Sequence, residues 1–310
     1  MQPPEAMTSI QTTTLNWFEA HQRDLPWRKT RDPYKIMVSE IMLQQTQVDR
    51  VLPKYLAFLE RFPTLEALAH APTSEVIRAW AGLGYNRRAV NMQRSARVVL
   101  EEYAGQFPQT VSELLKLPGI GAYTAGAIAC FAFEQDVAFM DTNIRRVVRR
   151  LLYRPDAEPG DRELLEHMTA LVPAGQGWRW NQAIMELGAL ICTAARPQCW
   201  RCPVREYCQD YTARRQADEH ILSYTPLLAM PVKKVAERRE SPYPQSSRFY
   251  RGRIIAVLRE YQAGLRTDQL GPLLKHDYTP EEQAWVETLL AGLERDGLLL
   301  RQDGLVKLPE

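Results

Sequence analysis

The chain has 310 residues, 45% of them hydrophobic and 25% charged, with a formal net charge of +2. This is an ordinary composition for a globular protein of two or three domains. The small net charge excludes nucleic-acid binding by overall polyelectrolyte attraction, so such a surface has to come from local clustering. No apolar run is long enough to span a bilayer, and Met1-Gln-Pro-Pro-Glu-Ala-Met7 lacks the basic region and apolar core of a signal peptide. A cytoplasmic protein is expected.

Residues 1–24 read as a tail and a short helix anchored by Leu15, Trp17 and Phe18. Leu25-Pro-Trp-Arg28 reads as a loop, and Asp32-Pro33 restarts the chain. The apolar stripe Val38, Ile41, Met42, Val48 and Leu52 predicts a helix from about Pro33 to Arg50. On it Glu40, Gln44 and Gln47 share another face, with Gln45 at the boundary. A carboxylate and amides on one face can hydrogen-bond base edges or fill an opened base pair. The plainer reading is a solvated face. Residues 53–116 continue as helices, with starts at Phe62-Pro-Thr-Leu65 and Ala71-Pro-Thr-Ser74. Between them and the next helix, Gly82-Leu-Gly-Tyr85 is a glycine loop, and that helix carries Arg87, Arg88, Arg94 and Arg97.

Leu117-Pro-Gly-Ile-Gly121 separates two helix-like segments. Thr110-Val-Ser-Glu113 has capping-box spacing upstream, and Tyr123 to Phe133 is small and apolar downstream. The unit reads as helix, tight hairpin, helix. Gly119 and Gly121 can take positive φ and leave no Cβ in the way. Backbone N–H groups and a helix N-terminus then face outward together, which makes an anion site. Many such turns are only turns. Further on, Ile144, Val147, Val148 and Leu151 predict a buried stripe, with Arg145, Arg146, Arg149 and Arg150 mainly opposite. Asp141 is placed as the N-cap. Residues 161–191 are helical again.

Five cysteines are present, and Cys192, Cys199, Cys202 and Cys208 fall within seventeen residues. In a reducing compartment the spacing C-x6-C-x2-C-x5-C suggests metal rather than disulfides. It admits a [4Fe–4S] cluster or a Zn²⁺ ion. From 213 to 247 the composition becomes that of a linker. It carries Lys233-Lys234, Glu237-Arg-Arg-Glu240 and Ser241-Pro-Tyr-Pro244. Residues 248–310 predict helices at 251–262, 266–275 and 280–296, then a hairpin at Asp303-Gly304. This is a winged-helix-like unit. Glu281, Glu282, Glu287 and Glu294 make its third helix acidic, which favours packing or protein contact at least as much as DNA readout.

Leu-Pro-Trp-Arg28, Ser39-Glu-Ile-Met-Leu-Gln-Gln-Thr-Gln47, Gly82-Leu-Gly-Tyr85, Leu117-Pro-Gly-Ile-Gly121, Asp141-x-Asn143 and the cysteine run stand in this order. Together they resemble the helix-hairpin-helix DNA glycosylases, most closely the MutY-type adenine glycosylases, over about residues 8–212. The resemblance implies an all-α, two-subdomain catalytic domain with a [4Fe–4S] cluster loop at 192–208. It implies a monomer acting on double-stranded DNA with adenine mispaired with 8-oxoguanine or guanine. It also implies a prokaryotic repair enzyme on the nucleoid.

By the same resemblance, Glu40 protonates the extruded adenine and later helps activate water, with its pKa raised by burial. Asp141 stays ionised beside an oxocarbenium-like sugar, Asn143 orients it, and Tyr123 lies in the pocket. Arg23, Leu25, Trp27, Val48 and Gln182 surround the adenine. Gln44, Gln45, Leu83 and Tyr85 probe the gap opposite. Gly119 and Gly121 hold the DNA backbone. Bifunctional relatives carry lysine where Tyr123 stands, so a monofunctional hydrolase is implied. The chain departs from the pattern at Thr142, where a glycine is usual, and at Asn86, where a second tyrosine is. It also departs over residues 213–310, which do not resemble the Nudix-like C-terminal domain of many adenine enzymes. Two other readings are a thymine or uracil glycosylase acting opposite guanine and a non-catalytic iron–sulfur DNA sensor.

Overall fold

The computed structural model describes residues 4–218 and 246–310. Most of the expected linker, including its charge clusters, lies outside the described residues. The chain forms two compact units. The first takes the chain up to Pro33, Gln109–Ser112 and the chain from Gly121 through the cysteine loop. The second takes Tyr34–Pro108, Glu113–Ile120 and everything described from residue 246 on.

In the first unit, α1 (Pro4–His21) buries Ile10, Leu15, Trp17 and Phe18 and packs on α11 (Gly177–Leu190). The small apolar segment after the hairpin is α8 (Ala122–Phe133), buried from Thr124 through Phe131. Gly126 is required there, because a Cβ would stand 2.6 Å from Phe139 Cβ. α9 (Thr142–Leu152) buries the predicted Ile144, Val147, Val148 and Leu151. Burying each such side chain is worth roughly 1.5–3 kcal/mol. α10 (Asp161–Leu171) and α12 (Gln209–Asp218) pack on α9. α12 carries the chain six residues beyond the boundary expected at 212.

The second unit begins with α2 (Pro33–Leu43) and α3 (Val48–Arg61). The single helix predicted from Pro33 to Arg50 is therefore two. Four polar residues, Gln44 to Gln47, offer nothing to bury at the break. Gln45 takes φ +54, which a right-handed helix cannot contain. Gln44 and Gln47 consequently do not share a helical face with Glu40. α4 (Leu65–His70), capped by Thr64 Oγ1, and α5 (Thr73–Ala79) lead to α6 (Arg87–Glu102). The short α7 (Val111–Leu114) precedes the hairpin.

The C-terminal region runs α13 (Ser247–Glu260), β1 (Leu265–Arg266), α14 (Thr267–Leu274), α15 (Gln283–Arg295), β2 (Leu300–Gln302) and β3 (Leu305–Lys307). Its three strands are antiparallel in the order β1-β3-β2, with both Leu265 and Arg301 opposite Val306. This is the order of a winged helix, and the hairpin falls where it was predicted. β1 escaped the sequence reading because two residues carry no periodicity. α13 starts four residues before the predicted 251, because Ser246 Oγ accepts the Phe249 N–H at 3.2 Å. Ile254, Ile255, Leu258, Leu290 and Leu299 share one apolar core with Ile77 of α5 and Val90 of α6. Among the described residues no helix is long and apolar enough to cross a membrane.

Candidate functional site

In the first unit, Asp141 ends an extended segment and caps α9. Its Oδ1 accepts the Ile144 N–H at 2.7 Å, satisfying an orphan donor of the first turn. Its Oδ2 accepts from Asn143 Nδ2 at 3.3 Å. Asn143 Oδ1 in turn accepts from Arg146 Nη2 at 2.9 Å. Arg146 also donates to the carbonyls of Gly188 at 2.8 Å and Cys192 at 2.7 Å. One guanidinium thus ties the cap to α11 and to the start of the cysteine loop. Gly188 allows the two helices to close up, since a Cβ there would meet Asn143 Cβ at 3.1 Å. Tyr123, at the second position of α8 and half-buried, sets its ring edge-on to Phe139 at 5.4 Å.

A buried ionic knot lies in the same unit. Glu186, whose side chain is fully buried, accepts from Arg23 N, Nε and Nη2 and from Arg28 Nη2. Burial alone would raise its pKa, but the two guanidinium groups outweigh that and hold it at about 2. Arg28 Nε also donates to Gln182 Oε1 at 2.8 Å, which turns the amide nitrogen the other way. Leu25 and Trp27 are buried beside this turn. So Arg23, Leu25, Trp27 and Gln182 do come together. Glu186, one helical turn after Gln182, and Arg28 are what bring them there; in the sequence Arg28 is only the end of a motif, and nothing marks Glu186.

The four cysteines line one small cavity together with Arg150, Arg205, Asp210 and Tyr211. Burial pushes the Cys202 thiol up to about 11 and the Cys208 thiol up to about 12. Such thiols become thiolates only with a bound cation to compensate them, so the donor set suits a metal group. Arg150 Nη1 donates to Cys192 Sγ at 3.4 Å. The fifth cysteine, Cys130, is a buried packing residue of α8.

In the second unit, Glu40 is only 2% exposed, next to buried Ser39 on a helix buried on nearly all sides. Val48 opens α3 and is half-buried. Gln44, Gln45, Leu83, Tyr85 and Gly119 line one cleft of about 1130 Å³. Gln45 and Tyr85 hold left-handed backbone at φ +54 and +45. Non-glycine residues do so at a cost of roughly 1–3 kcal/mol, and such strain clusters at functional positions. Gly119 has φ +78, and a Cβ there would stand 2.7 Å from Asn91 Cβ, so the hairpin lies directly on α6. Gly121, contrary to expectation, has φ −94 and is the N-cap of α8. Open space lies where its Cβ would be, which leaves its backbone approachable.

Arg88 organises this cleft. It donates to the carbonyls of Ile41, at 2.8 Å, and Gln44, ending α2, and to those of Leu83 and Gly84 in the glycine loop. The Ile41 carbonyl is one of the orphan carbonyls of the α2 C-terminus, and that of Gln44 lies just beyond it. The sequence showed Arg88 only as one of several arginines.

Residues 38–174 match the HhH-GPD superfamily of base excision DNA repair proteins. An adenine DNA glycosylase of Mycolicibacterium smegmatis is 39% identical over 281 residues, 90% of each chain. The chain belongs to the adenine DNA glycosylases. The relative from Mycobacterium tuberculosis is 38% identical over 96% of this glycosylase and 93% of its own length, so the likeness includes the C-terminal region. The human relative is 40% identical over 73% of this chain and 43% of its own. Among solved structures, a thermostable thymine-DNA glycosylase superposes with a TM-score of 0.63 at 32% identity, covering 67% of this chain and 97% of that one. A DNA-trapped endonuclease III shares the fold, at TM-score 0.60 and 23% identity, over 69% of this chain and 100% of its own. The all-α glycosylase fold expected from the motifs is the fold of this enzyme.

Proposed function

We propose that this adenine DNA glycosylase is a monofunctional hydrolase that removes adenine mispaired with 8-oxoguanine or guanine. The observation that carries the reading is the pair of carboxylates in contrasting settings. Glu40 is withdrawn from water inside α2. Asp141 is held at a helix N-terminus by a backbone N–H and by Asn143.

The glycosidic bond is unreachable in the base stack, so the adenine is extruded into a pocket. Leu25, Trp27, Val48 and Gln182 receive it, with Gln182 orientated by Arg28. Glu40 delivers its proton to N7, and the bond from C1′ to the base breaks with both electrons leaving on the adenine. Positive charge grows on the sugar, and Asp141 stabilises it as one carboxylate of the pair does in glycoside hydrolysis. Glu40, now a carboxylate, takes a proton from the water that adds to C1′. Tyr123 has no amine with which to form a Schiff base, so the DNA strand stays intact. Gln44, Gln45, Leu83 and Tyr85 fill or probe the gap opposite, and the backbone at Gly119 and Gly121 holds phosphate.

Cys192, Cys199, Cys202 and Cys208 would hold a [4Fe–4S] cluster. Among the described residues no three donor side chains converge as ligands of a single ion would. A [4Fe–4S] cluster would take one thiolate on each of its four irons, so its ligands would be spread around a cavity and not meet at one ion. Bound there, its irons would supply the positive charge that buried thiolates need. The enzyme acts on the DNA of the nucleoid.

A base-release panel tests the function. Duplexes carrying adenine opposite 8-oxoguanine, guanine or cytosine, and thymine opposite guanine, are incubated with the enzyme under single turnover and the released base is measured. Adenine should be released opposite the two purines, and Glu40→Gln should slow this by on the order of 10²–10⁴-fold. Rapid thymine release with adenine untouched would establish the second reading, which the 32% identity to a thymine-DNA glycosylase keeps specific. A Glu40→Gln rate equal to wild type would defeat the mechanism.

A further inference from the structure

The C-terminal unit reaches the cleft that is expected to face the base opposite the adenine. α13 contributes Arg248, Arg251 and Gly252 to its lining, beside Gln44, Gln45 and Tyr85. Arg248 Nη1 donates to Tyr85 Oη at 2.9 Å, and its guanidinium lies 5.6 Å from the Tyr85 ring. Arg88 lies by the same ring at 5.5 Å. Tyr85 is 47% exposed and sits on left-handed backbone. An exposed ring in that conformation needs outside support to keep one rotamer, and the two arginines give it.

The docking that places Arg248 there is specific. Arg259 of α13 donates to the Ile77 carbonyl at 3.1 Å and to Asn86 Oδ1 at 2.9 Å. Asn86 thus has a use that the usual tyrosine could not serve, since a tyrosine offers no amide oxygen at that reach. The Ser74 N–H donates to the Pro309 carbonyl at 2.6 Å. Gly252, exposed inside α13, has open space where a Cβ would lie. Glycine there costs about 1 kcal/mol against alanine, so helix stability does not explain it. It leaves room for close approach on the face that carries Arg248.

The geometry points to Arg248 as a positioning residue for opposite-base discrimination. By holding Tyr85, the winged-helix unit takes part in reading the base opposite the adenine. This rests on the adenine reading given above.

Binding by fluorescence anisotropy on the full chain tests it, using duplexes with a stable abasic analogue opposite 8-oxoguanine, guanine or thymine. Wild type should prefer the two purines. Arg248→Ala should shrink that preference about tenfold, which is 1.4 kcal/mol, with unchanged melting temperature because Arg248 is exposed. Arg248→Lys, which keeps a donor, should retain part of it. Tyr85→Phe should cause a similar loss, and the double variant should add nothing more. Equal weakening against all three opposite bases, additive losses, or no preference in wild type would overturn the proposal. A wild-type enzyme that releases no adenine would instead sink the functional reading, and the binding panel would still judge Arg248.

Discussion

In the proposed reaction, Tyr123 carries the difference between hydrolysis and strand cleavage. A phenol on α8 cannot condense with the ring-opened sugar, whereas an amine there can. Borohydride treatment during turnover should therefore trap no covalent protein–DNA species with the wild-type enzyme. Tyr123→Lys should gain a trappable species on gels. Trapping by the wild type at the level of its product would show that a lysine elsewhere attacks. Its place beside the hairpin could be read in the sequence, because only Ala122 stands between Gly121 and Tyr123. Gln44 and Gln47 show the opposite case. Their spacing from Glu40 matched a helix, but the polar break between α2 and α3 removed them from it.

At the scale of elements, Glu186 joins α11 to the Arg23–Arg28 turn. Its carboxyl is held at about 2 in the folded protein against an ordinary value of 4.5. The folded value is the lower one, so the stabilisation is complete above about pH 4.5 and is lost as pH falls towards 2. The melting temperature of the wild type should drop through that window. Glu186→Gln should begin lower and lack the corresponding drop. Near neutral pH the substitution should cost about 3–5 kcal/mol, as loss of one partner in a buried ion pair does. Equal melting temperatures at pH 7 would show that the knot is not structural. The motif Leu-Pro-Trp-Arg could be seen in the sequence, yet its partner could not. Glu186 is 158 positions from Arg28, and no local pattern announces such a pairing.

For the whole molecule, the cysteine loop closes the first unit, since the Cys192 carbonyl is bound by Arg146 and the Cys208 segment leads into α12. Metal binding at such a loop is folding free energy. Purified protein should carry about four irons per chain and absorb in the visible. Cys199→Ser should lose iron, colour and thermal stability together. Colourless protein with one zinc per chain would refute the cluster. The second unit is completed differently, by a C-terminal region that shares a core with Ile77 and Val90. In the sequence residues 248–310 stand apart as a small unit, because a composition shift marks where chain connectivity loosens and says nothing of where apolar faces meet again.

By itself the sequence determined the glycosylase fold, through the order of its motifs, and the capped Asp141, the buried α9 stripe and the cysteine spacing, each carried by residues a few positions apart. Only the tertiary structure decided that Arg88 ends α2, that Glu186 orders the Arg23–Arg28 turn, and that Arg248 reaches Tyr85. Each is a contact across many residues, made by a flexible charged side chain. Such pairings leave no periodicity, and burial and geometry select them after the helices have packed.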